Sequence, residues 1–232
     1  MKIVSFNIQH AFHYIEKKIN FEALAEAIVA LDADVVGLNE VRGAGSDPDY
    51  TAQAETLARL AGFPYAFFAK AIDTKGGPYG NAILSKRPLL AAEAILIPDP
   101  SPRAYKGYYE SRCVLKATLE GGLTVLVTHF GLNPDEAENA VQTLLPHLSN
   151  EKCILMGDFN LTPESPILAP IRERMVDAAS LFDGERFSYP SDAPTRKIDY
   201  IFTSPDLTVT AADLPAVVVS DHRPHTAEIS LT

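Results

Sequence analysis

Short runs of apolar residues, separated by polar or turn-forming residues, recur along the chain and predict β-strands. One of them, 35–38, is apolar without a break, which is typical of a strand buried on both faces. The Glu120-Gly121-Gly122 segment between two of the runs predicts a hairpin, so the sheets are not purely parallel. The predicted strands are 2–6, 35–38, 65–69, 82–85, 91–97, 112–119, 124–128, 153–156, 198–203, 207–211 and 226–231.

Other segments carry apolar residues at the spacing of one helix face. Asn20 is a suitable N-cap for the first of these helices, and Gly62 ends the second. The third is the clearest, because Asn133 and Glu136 form a capping-box pattern around Pro134 at the first helical position. The predicted helices are 21–31, 51–61 and 134–148. Strands mixed with a few helices indicate an α/β or α+β fold.

The length and composition favour one domain. The chain has 232 residues, of which 47% are hydrophobic, and it shows no linker and no internal repeat. We therefore expect a single catalytic domain over 1–232. The first apolar run is too short for a signal-peptide core, and no segment reaches the roughly 20 apolar residues of a membrane span. Cys113 and Cys153 lie in strand-like runs and are interpreted as buried thiols, which favours a cytoplasmic location.

The formal net charge of −10 changes which partners are plausible. Proteins that bind nucleic acid without sequence preference neutralise its phosphates with Lys and Arg. An acidic chain can bind DNA through a local basic patch, but its overall charge opposes tight binding of duplex DNA. The charge therefore favours a small or membrane-surface substrate over a long nucleic acid. We expect a monomer.

Polar side chains that can perform chemistry lie where the apolar runs end. The first run ends at Asn7, the next at Asn39-Glu40, a later one at Thr128-His129, and 153–156 leads into Gly157-Asp158-Phe159-Asn160. Ligands of open α/β sheets bind at this edge. Asp199 and Asp221-His222 instead precede strands, and the start of an antiparallel strand lies at the same edge as the end of its neighbour. All of these groups can therefore converge.

Convergence would bring several carboxylates together. Unpaired carboxylates a few ångströms apart repel by roughly 1 kcal/mol in water and by several times more in a drier cleft, and a bound cation removes this repulsion. The available donors are mostly oxygens, which select Mg²⁺ or Mn²⁺ over zinc. The sequence therefore predicts a Mg²⁺ site at which Mn²⁺ can substitute.

The motifs, in their order along the chain, resemble those of the endonuclease/exonuclease/phosphatase superfamily. Any one of them is weak by itself, but seven in order, over essentially the whole chain, are a specific signal. They are Ser5-Phe6-Asn7, Leu38-Asn39-Glu40-Val41, Gly80-Asn81-Ala82-Ile83-Leu84-Ser85, Thr128-His129, Gly157-Asp158-Phe159-Asn160, Ile198-Asp199-Tyr200 and Ser220-Asp221-His222. Asn39 is a departure, since many relatives carry Gln before the metal-binding Glu.

This resemblance implies a four-layer α/β/β/α sandwich, like that of deoxyribonuclease I, and a Mg²⁺-dependent attack of water on phosphorus. Glu40 would be the main metal ligand, with Asn7 and Asp221 close to the ion. The resemblance leaves open whether one or two ions bind.

The resemblance also implies roles for the remaining motif residues. Asp158 would orient and activate the water, His222 would act in acid–base catalysis with Asp199 orienting it, and the phosphate would be held by His129 and Asn160. Which group is the general base stays open.

Several residues near these motifs are weaker candidates. Arg112 is the preferred phosphate-binding residue of its segment, and Asn81 either contacts the substrate or supports the backbone. His10 and His13 follow the first strand in a predicted loop, and we interpret them as solvent-exposed.

The predicted function is a Mg²⁺-dependent phosphodiesterase. A phosphomonoesterase for inositol phosphates or nucleotides, and a nuclease, remain alternatives on the same fold, because fold alone does not choose the substrate. A binding or scaffold module that has lost its chemistry is a remote alternative, since none of the motifs is missing. A zinc- or flavin-dependent enzyme would need a cysteine cluster or a glycine-rich phosphate loop, and neither is evident.

Overall fold

The computed structural model describes residues 1–230. Its strands are β1 (Lys2–Asn7), β2 (Phe12–His13), β3 (Lys18–Ile19), β4 (Val35–Arg42), β5 (Tyr65–Asp73), β6 (Pro78–Ser85), β7 (Leu89–Leu96), β8 (Cys113–Leu119), β9 (Thr124–His129), β10 (Cys153–Asp158), β11 (Val176–Asp177), β12 (Asp199–Thr203), β13 (Thr208–Asp213) and β14 (His225–Ser230). Its α-helices are α1 (Phe21–Ala30), α2 (Gln53–Ala61), α3 (Pro134–Leu144) and α4 (Ala169–Arg172). Short 3₁₀ turns lie at Gln9–Ala11, Leu145–His147, Pro166–Leu168 and Ala178–Leu181.

Two six-stranded mixed sheets form the centre of the molecule. The first has the order β13-β14-β1-β4-β6-β5 and the second the order β11-β12-β10-β9-β8-β7. In the first sheet, β1 and β4 are parallel and β6 is antiparallel to β4. In the second, β9 and β10 are parallel and β12 is antiparallel to β10. Strands β2 and β3 form a separate small hairpin.

Three apolar clusters define four layers. Between the two sheets lie side chains from both, such as Ile83, Val127 and Met156. The outer face of the first sheet packs against α1 and α2, and the outer face of the second packs against α3 and α4. The predicted four-layer α/β/β/α sandwich is thereby confirmed, and so is the α+β class.

At Gly37 in β4 the two sheets approach each other closely. A Cβ atom there would lie 2.7 Å from Cε of Met156 and 2.9 Å from Cγ2 of Val127, both on the opposite sheet. Because only a glycine leaves room for this approach, the ends of β4, β9 and β10 can share one set of polar contacts.

Most predicted elements are present. Asn20 caps α1 by accepting the backbone N–H of Ala23, and Gly62 ends α2 in the left-handed conformation. The helix predicted over 134–148 is shorter, because it tightens into a 3₁₀ turn at Leu145–His147. Strands near the site extend further than their apolar runs. The predicted strand 226–231 begins one residue earlier, and its last residue lies outside the described part of the chain.

Candidate active site

The strand registers place the predicted polar residues in one row. Asp158 at the end of β10 pairs with His129 at the end of β9 on one side and with Asp199 at the start of β12 on the other. In the facing sheet, Asn7 at the end of β1 pairs with Asn39 in β4. The expectation that strand ends and strand starts meet at one edge is confirmed.

Glu40 reaches the site through a bulge in β4. The pairing of β4 with β6 shifts between Leu38 and Val41, and Glu40 has φ of 59°, a conformation that non-glycine residues rarely adopt. Its Oε1 atom accepts a hydrogen bond from Nδ2 of Asn7 at 3.0 Å, and its Oε2 atom accepts one from the Tyr79 hydroxyl at 3.0 Å. The bulge therefore turns the carboxylate toward Asn7, and two donors hold it there.

Asn39 ties the two sheets together beneath the site. Its Nδ2 atom donates to Oδ1 of Asn81 at 2.8 Å and to the Thr128 carbonyl at 2.9 Å, and its Oδ1 atom accepts the backbone N–H of Asp158 at 2.9 Å. The side chain is fully buried. Sequence reasoning noted Asn39 only as a departure from Gln. Its role depends on atoms of the facing sheet, which no local pattern reveals.

The Asp158 carboxylate is the centre of the arrangement. Its Oδ2 atom accepts from Nδ2 of Asn7 at 3.0 Å and lies 3.5 Å from Nε2 of His129 and 3.6 Å from Nε2 of His222. Its Oδ1 atom accepts the backbone N–H of Asn160 at 2.9 Å. Burial raises the pKa of Asp158 to about 7, although the nearby His222 cation opposes this. A carboxylate with a pKa near neutrality can accept and release a proton.

His222 and Asp199 form a buried pair. Nδ1 of His222 lies 2.8 Å from Oδ2 of Asp199, which is fully buried. Burial alone would lower the pKa of His222, but the Asp199 and Asp158 carboxylates raise it to about 10. His222 is therefore an imidazolium near neutral pH, with Nδ1–H held by Asp199 and Nε2–H directed toward Asp158. The ring of Tyr189 packs on that of His222, with the centroids 4.9 Å apart.

Arg112 fixes the tautomer of His129. Nη1 of Arg112 lies 3.1 Å from Nδ1 of His129, and a guanidinium can only donate hydrogen bonds. Burial and the Arg112 charge hold the pKa of His129 well below its usual value, so the ring is neutral. Because Arg112 occupies Nδ1, we assign the proton to Nε2; Nδ2 of Asn160, 3.2 Å from Nε2, then donates to the Phe130 carbonyl instead. That Nε2–H faces the region between Asp158 and Asn160. Arg112 is also paired with Glu110, whose Oε1 atom lies 2.6 Å away.

A cavity of about 290 Å³ opens above these groups. It brings together seven of the predicted site residues and five residues that sequence reasoning did not assign to the site. The predicted ones are Glu40, Arg112, His129, Asp158, Asn160, Asp221 and His222; the others are Tyr108, Leu132, Tyr189, Arg196 and Ile198. Tyr108 and Leu132 are largely exposed at the rim, and the Arg196 guanidinium lies 4.9 Å from the centre of the Tyr189 ring.

Asn81 lies behind this cavity. Its Nδ2 atom donates to the Cys113 carbonyl at 2.9 Å, and its Oδ1 atom accepts from Asn39, so both ends of the amide are used within the protein. Direct contact with the substrate stays a prediction; the geometry gives Asn81 a supporting role. Cys113 and Cys153 are free, buried thiols.

An unusual turn follows Asn7. Gln9, His10 and Ala11 have φ of 45°, 48° and 62°, so three successive non-glycine residues are left-handed. Such a conformation costs about 1–2 kcal/mol for each residue. The interpretation of His10 and His13 as solvent-exposed is wrong: only 26% and 14% of their side chains are exposed, and Nδ1 of His10 lies 3.8 Å from Oε2 of Glu40. The cause is the left-handed turn, which apolar periodicity does not indicate.

Two groups of residues are candidates for binding a metal ion. Asp158, Asp199 and His222 offer atoms that all lie within 4.8 Å of one another, but the short bond between Asp199 and His222 already balances their charges. The second group is Glu40 and Asp221. Here the pKa of Asp221 is raised by burial and, despite the His222 cation, by the Glu40 charge. Two carboxylates that repel each other beside an amide fit a hard divalent cation.

The family is established by a match along most of the chain. The model of the Endonuclease/Exonuclease/phosphatase family matches residues 4–222. The protein belongs to this family. Members of the endonuclease/exonuclease/phosphatase family hydrolyse phosphoester bonds, and the converging carboxylates, histidines and amides described above lie within the matched residues.

Solved structures agree on the fold. An endonuclease/exonuclease/phosphatase from Beutenbergia cavernae is 23% identical, with a TM-score of 0.79, covering 100% of this chain and 71% of its own. The mannosyl-6-phosphatase Bt3783 of Bacteroides thetaiotaomicron is 14% identical, with a TM-score of 0.76 and full coverage of both chains. ANGEL2, a 2′,3′-cyclic phosphatase, is 18% identical, with a TM-score of 0.71 and coverage of 98% and 94%.

Comparison with curated protein sequences found no match. No helix within residues 1–230 is both long enough and apolar enough to cross a membrane.

Proposed function

We propose that the protein is a divalent-metal-dependent phosphodiesterase that uses Mg²⁺, with Mn²⁺ able to substitute. The observation that carries this proposal is the position of Asp158, whose Oδ2 atom lies within 3.0 Å of Asn7 on the metal side and 3.6 Å of His222 on the acid–base side. A single carboxylate is thereby shared between the groups that would hold a metal and the groups that would move protons.

Glu40, Asn7 and Asp221 would hold the ion. When bound, the ion would stabilise charge on the phosphoryl oxygens and lower the pKa of a water molecule. Asn7 directs its amide nitrogen to both Glu40 and Asp158, while its Oδ1 atom accepts the backbone N–H of Gln9. It therefore keeps the two carboxylates apart from each other and in fixed orientations.

Asp158 and His222 would move the protons. A pKa of about 7 lets Asp158 accept a proton from the attacking water at neutral pH. The His222 imidazolium, held by Asp199, would direct its Nε2–H to a phosphoryl oxygen or to the leaving oxygen. The fixed Nδ1 contact with Asp199 keeps that proton aimed into the cavity.

His129, Asn160 and Arg112 would hold the phosphoryl group. The neutral ring of His129 offers Nε2–H, and Nδ2 of Asn160 lies 3.2 Å from the same nitrogen. These are donors directed at one small volume, as required to stabilise charge that develops during hydrolysis.

The rim of the cavity favours a diester, which carries a second organic group, over a monoester. The exposed Tyr108 and Leu132 side chains at the rim could flank an organic group on the second ester oxygen. A phosphomonoesterase is the second candidate, favoured by the likeness in fold to a mannosyl-6-phosphatase.

Hydrolysis of model esters tests the proposal. The purified protein would be assayed on bis-p-nitrophenyl phosphate and p-nitrophenyl phosphate with Mg²⁺, with Mn²⁺ and with EDTA. The Asp158→Asn variant would be assayed in parallel, with the exposed Asp32→Asn as control. We expect diester cleavage that EDTA and only the first variant abolish. Cleavage of the monoester alone would establish the phosphatase instead. Failure to bind metal in a calorimetric titration would favour the scaffold.

The expected partner is a phosphoester: a small molecule, a lipid head group or a nucleic acid. The net charge of −10 argues against tight binding to duplex DNA. A monomeric state and a cytoplasmic location stay predictions.

A further inference from the structure

His10 is placed beside Glu40 by a backbone that few sequences adopt. The left-handed turn Gln9–Ala11 is separated by one residue from the end of β1 at Asn7, and it brings His10 close to Glu40 in β4. As a result, Nδ1 of His10 lies 3.8 Å from Oε2 of Glu40. Within residues 1–230 no hydrogen bond engages either ring nitrogen of His10, so the ring is near the carboxylate without a protein partner of its own.

Buried contacts hold this turn in place. Gln53, which is fully buried in α2, donates from Nε2 to the His10 carbonyl at 2.8 Å and accepts the backbone N–H of Arg42 at 2.9 Å. The turn begins with the Gln9 N–H bound to Oδ1 of Asn7 at 3.1 Å. Gln53 thus binds the backbone at His10 and at Arg42, two residues after Glu40. The turn is also anchored to the predicted metal ligand Asn7.

The separation of the two side chains fits a shared ion. With metal–ligand distances of about 2.1 Å, adjacent ligands of an octahedral ion lie about 3.0 Å apart and opposite ones about 4.2 Å. The 3.8 Å between Nδ1 of His10 and Oε2 of Glu40 exceeds the distance between adjacent ligands by about 0.8 Å, so a small side-chain rotation would let both atoms bind one ion. An imidazole nitrogen binds later first-row metals more readily than Mg²⁺, which prefers oxygen.

We propose that His10 supplies a nitrogen ligand to the metal centre formed by Glu40, Asn7 and Asp221, and that this ligand raises the affinity of the centre for Mn²⁺ relative to that for Mg²⁺. The proposal rests on the metal dependence of the proposed function. It also explains why a strained turn is present, because the left-handed backbone places the His10 imidazole beside Glu40.

Mn²⁺ itself is the probe. Titration followed by electron paramagnetic resonance would give its affinity, and electron spin-echo modulation would report whether a nitrogen nucleus is bound to it. The variant is His10→Asn, since Asn tolerates left-handed backbone better than most residues. The control is His13→Asn, because Nδ1 of His13 accepts the backbone N–H groups of Ile15 and Glu16 instead.

We expect nitrogen modulation from Mn²⁺ in the wild type and in His13→Asn, and its loss in His10→Asn. The affinity for Mn²⁺ should fall about tenfold in His10→Asn while that for Mg²⁺ changes little. Tight Mn²⁺ binding without histidine nitrogen coupling in the wild type would overturn the assignment of His10 while leaving metal dependence intact, whether or not the variant folds. Absence of Mn²⁺ binding would overturn both.

Discussion

Nδ1 of His222 lies 2.8 Å from Oδ2 of Asp199, although the two residues belong to different segments that meet only in the folded protein. The contact is buried, and Asp199 has its other oxygen, Oδ1, without a hydrogen-bond partner in the described chain. The His222 proton is therefore the main compensation for the Asp199 charge. Replacing either residue by an uncharged one would therefore leave the other without its buried ionic partner.

Replacing Asp199 by Asn should lower kcat by about 10²- to 10⁴-fold, the range for loss of acid–base catalysis. The Asp199 and Asp158 charges raise the pKa of His222 to about 10, so removing one of them must lower it. If His222 acts as the acid, the alkaline limb of the pH–kcat profile should move to lower pH. Asp213→Asn, at a half-exposed carboxylate paired with Arg186, is the control, and an unmoved alkaline limb would show that His222 is not the acid.

Arg112→Gln tests how His129 is held. Loss of the guanidinium frees Nδ1 of His129 and lets the pKa of this histidine rise, although burial still depresses it. We expect KM for the diester to rise about tenfold, as for the loss of one charge-assisted contact. Nitrogen NMR of the His129 ring should show both tautomers. Arg103→Gln is the matched control; a ring that keeps its single tautomer would refute the assignment.

The sequence predicts the ends of the strands well and the contacts between the sheets poorly. Asp158 and His129 could be assigned because each follows an apolar run. The positions of Asn39 and Tyr79 could not, because their partners lie on other strands: Glu40 for Tyr79, and Asn81 with the Thr128 carbonyl of the facing sheet for Asn39. Local patterns carry the periodicity of one strand, whereas these bonds depend on how strands and sheets are arranged around it.

His10 illustrates a second limit. Its surroundings depend on three successive left-handed residues that are held by Gln53, a residue 43 positions away. Glycine and asparagine are the usual signals of such backbone, and neither is present in the turn. A reader of the sequence alone therefore expects an ordinary loop.

Asn39→Asp should destabilise the fold. The substitution removes the donor that now faces the Thr128 carbonyl and Oδ1 of Asn81, and puts a carboxylate against both oxygens. A buried group left unpaired in this way should lower the free energy of unfolding by roughly 3 kcal/mol, measured by urea denaturation at neutral pH. The same change at the exposed Asn150 should have little effect. Equal stability of the two variants would mean that Asn39 does not join the sheets.

Lys197 gives a prediction about stability and pH. Its ammonium group is only 6% exposed, lies 3.6 Å from Oδ2 of Asp177 and stands over the Tyr200 ring at 3.3 Å from the centroid. Burial lowers the pKa of Lys197 to about 8 from the ordinary value of 10.5. Between these two pH values the unfolded chain keeps a proton that the folded protein has released, so stability must rise with pH.

At about 1.4 kcal/mol for each pH unit, the rise should approach roughly 3 kcal/mol between pH 8 and pH 10.5. Below pH 8 the folded and unfolded states both hold the proton, and this contribution is flat. In Lys197→Met the rise should disappear, and the stability at pH 7 should change little, because the desolvation cost of the ammonium is lost together with its ion pair to Asp177. Urea denaturation at pH 7.0, 8.5 and 9.5 measures both effects. Lys86→Met, at an exposed lysine paired with Asp32, is the control. If the slope persists in Lys197→Met, another group is responsible for it.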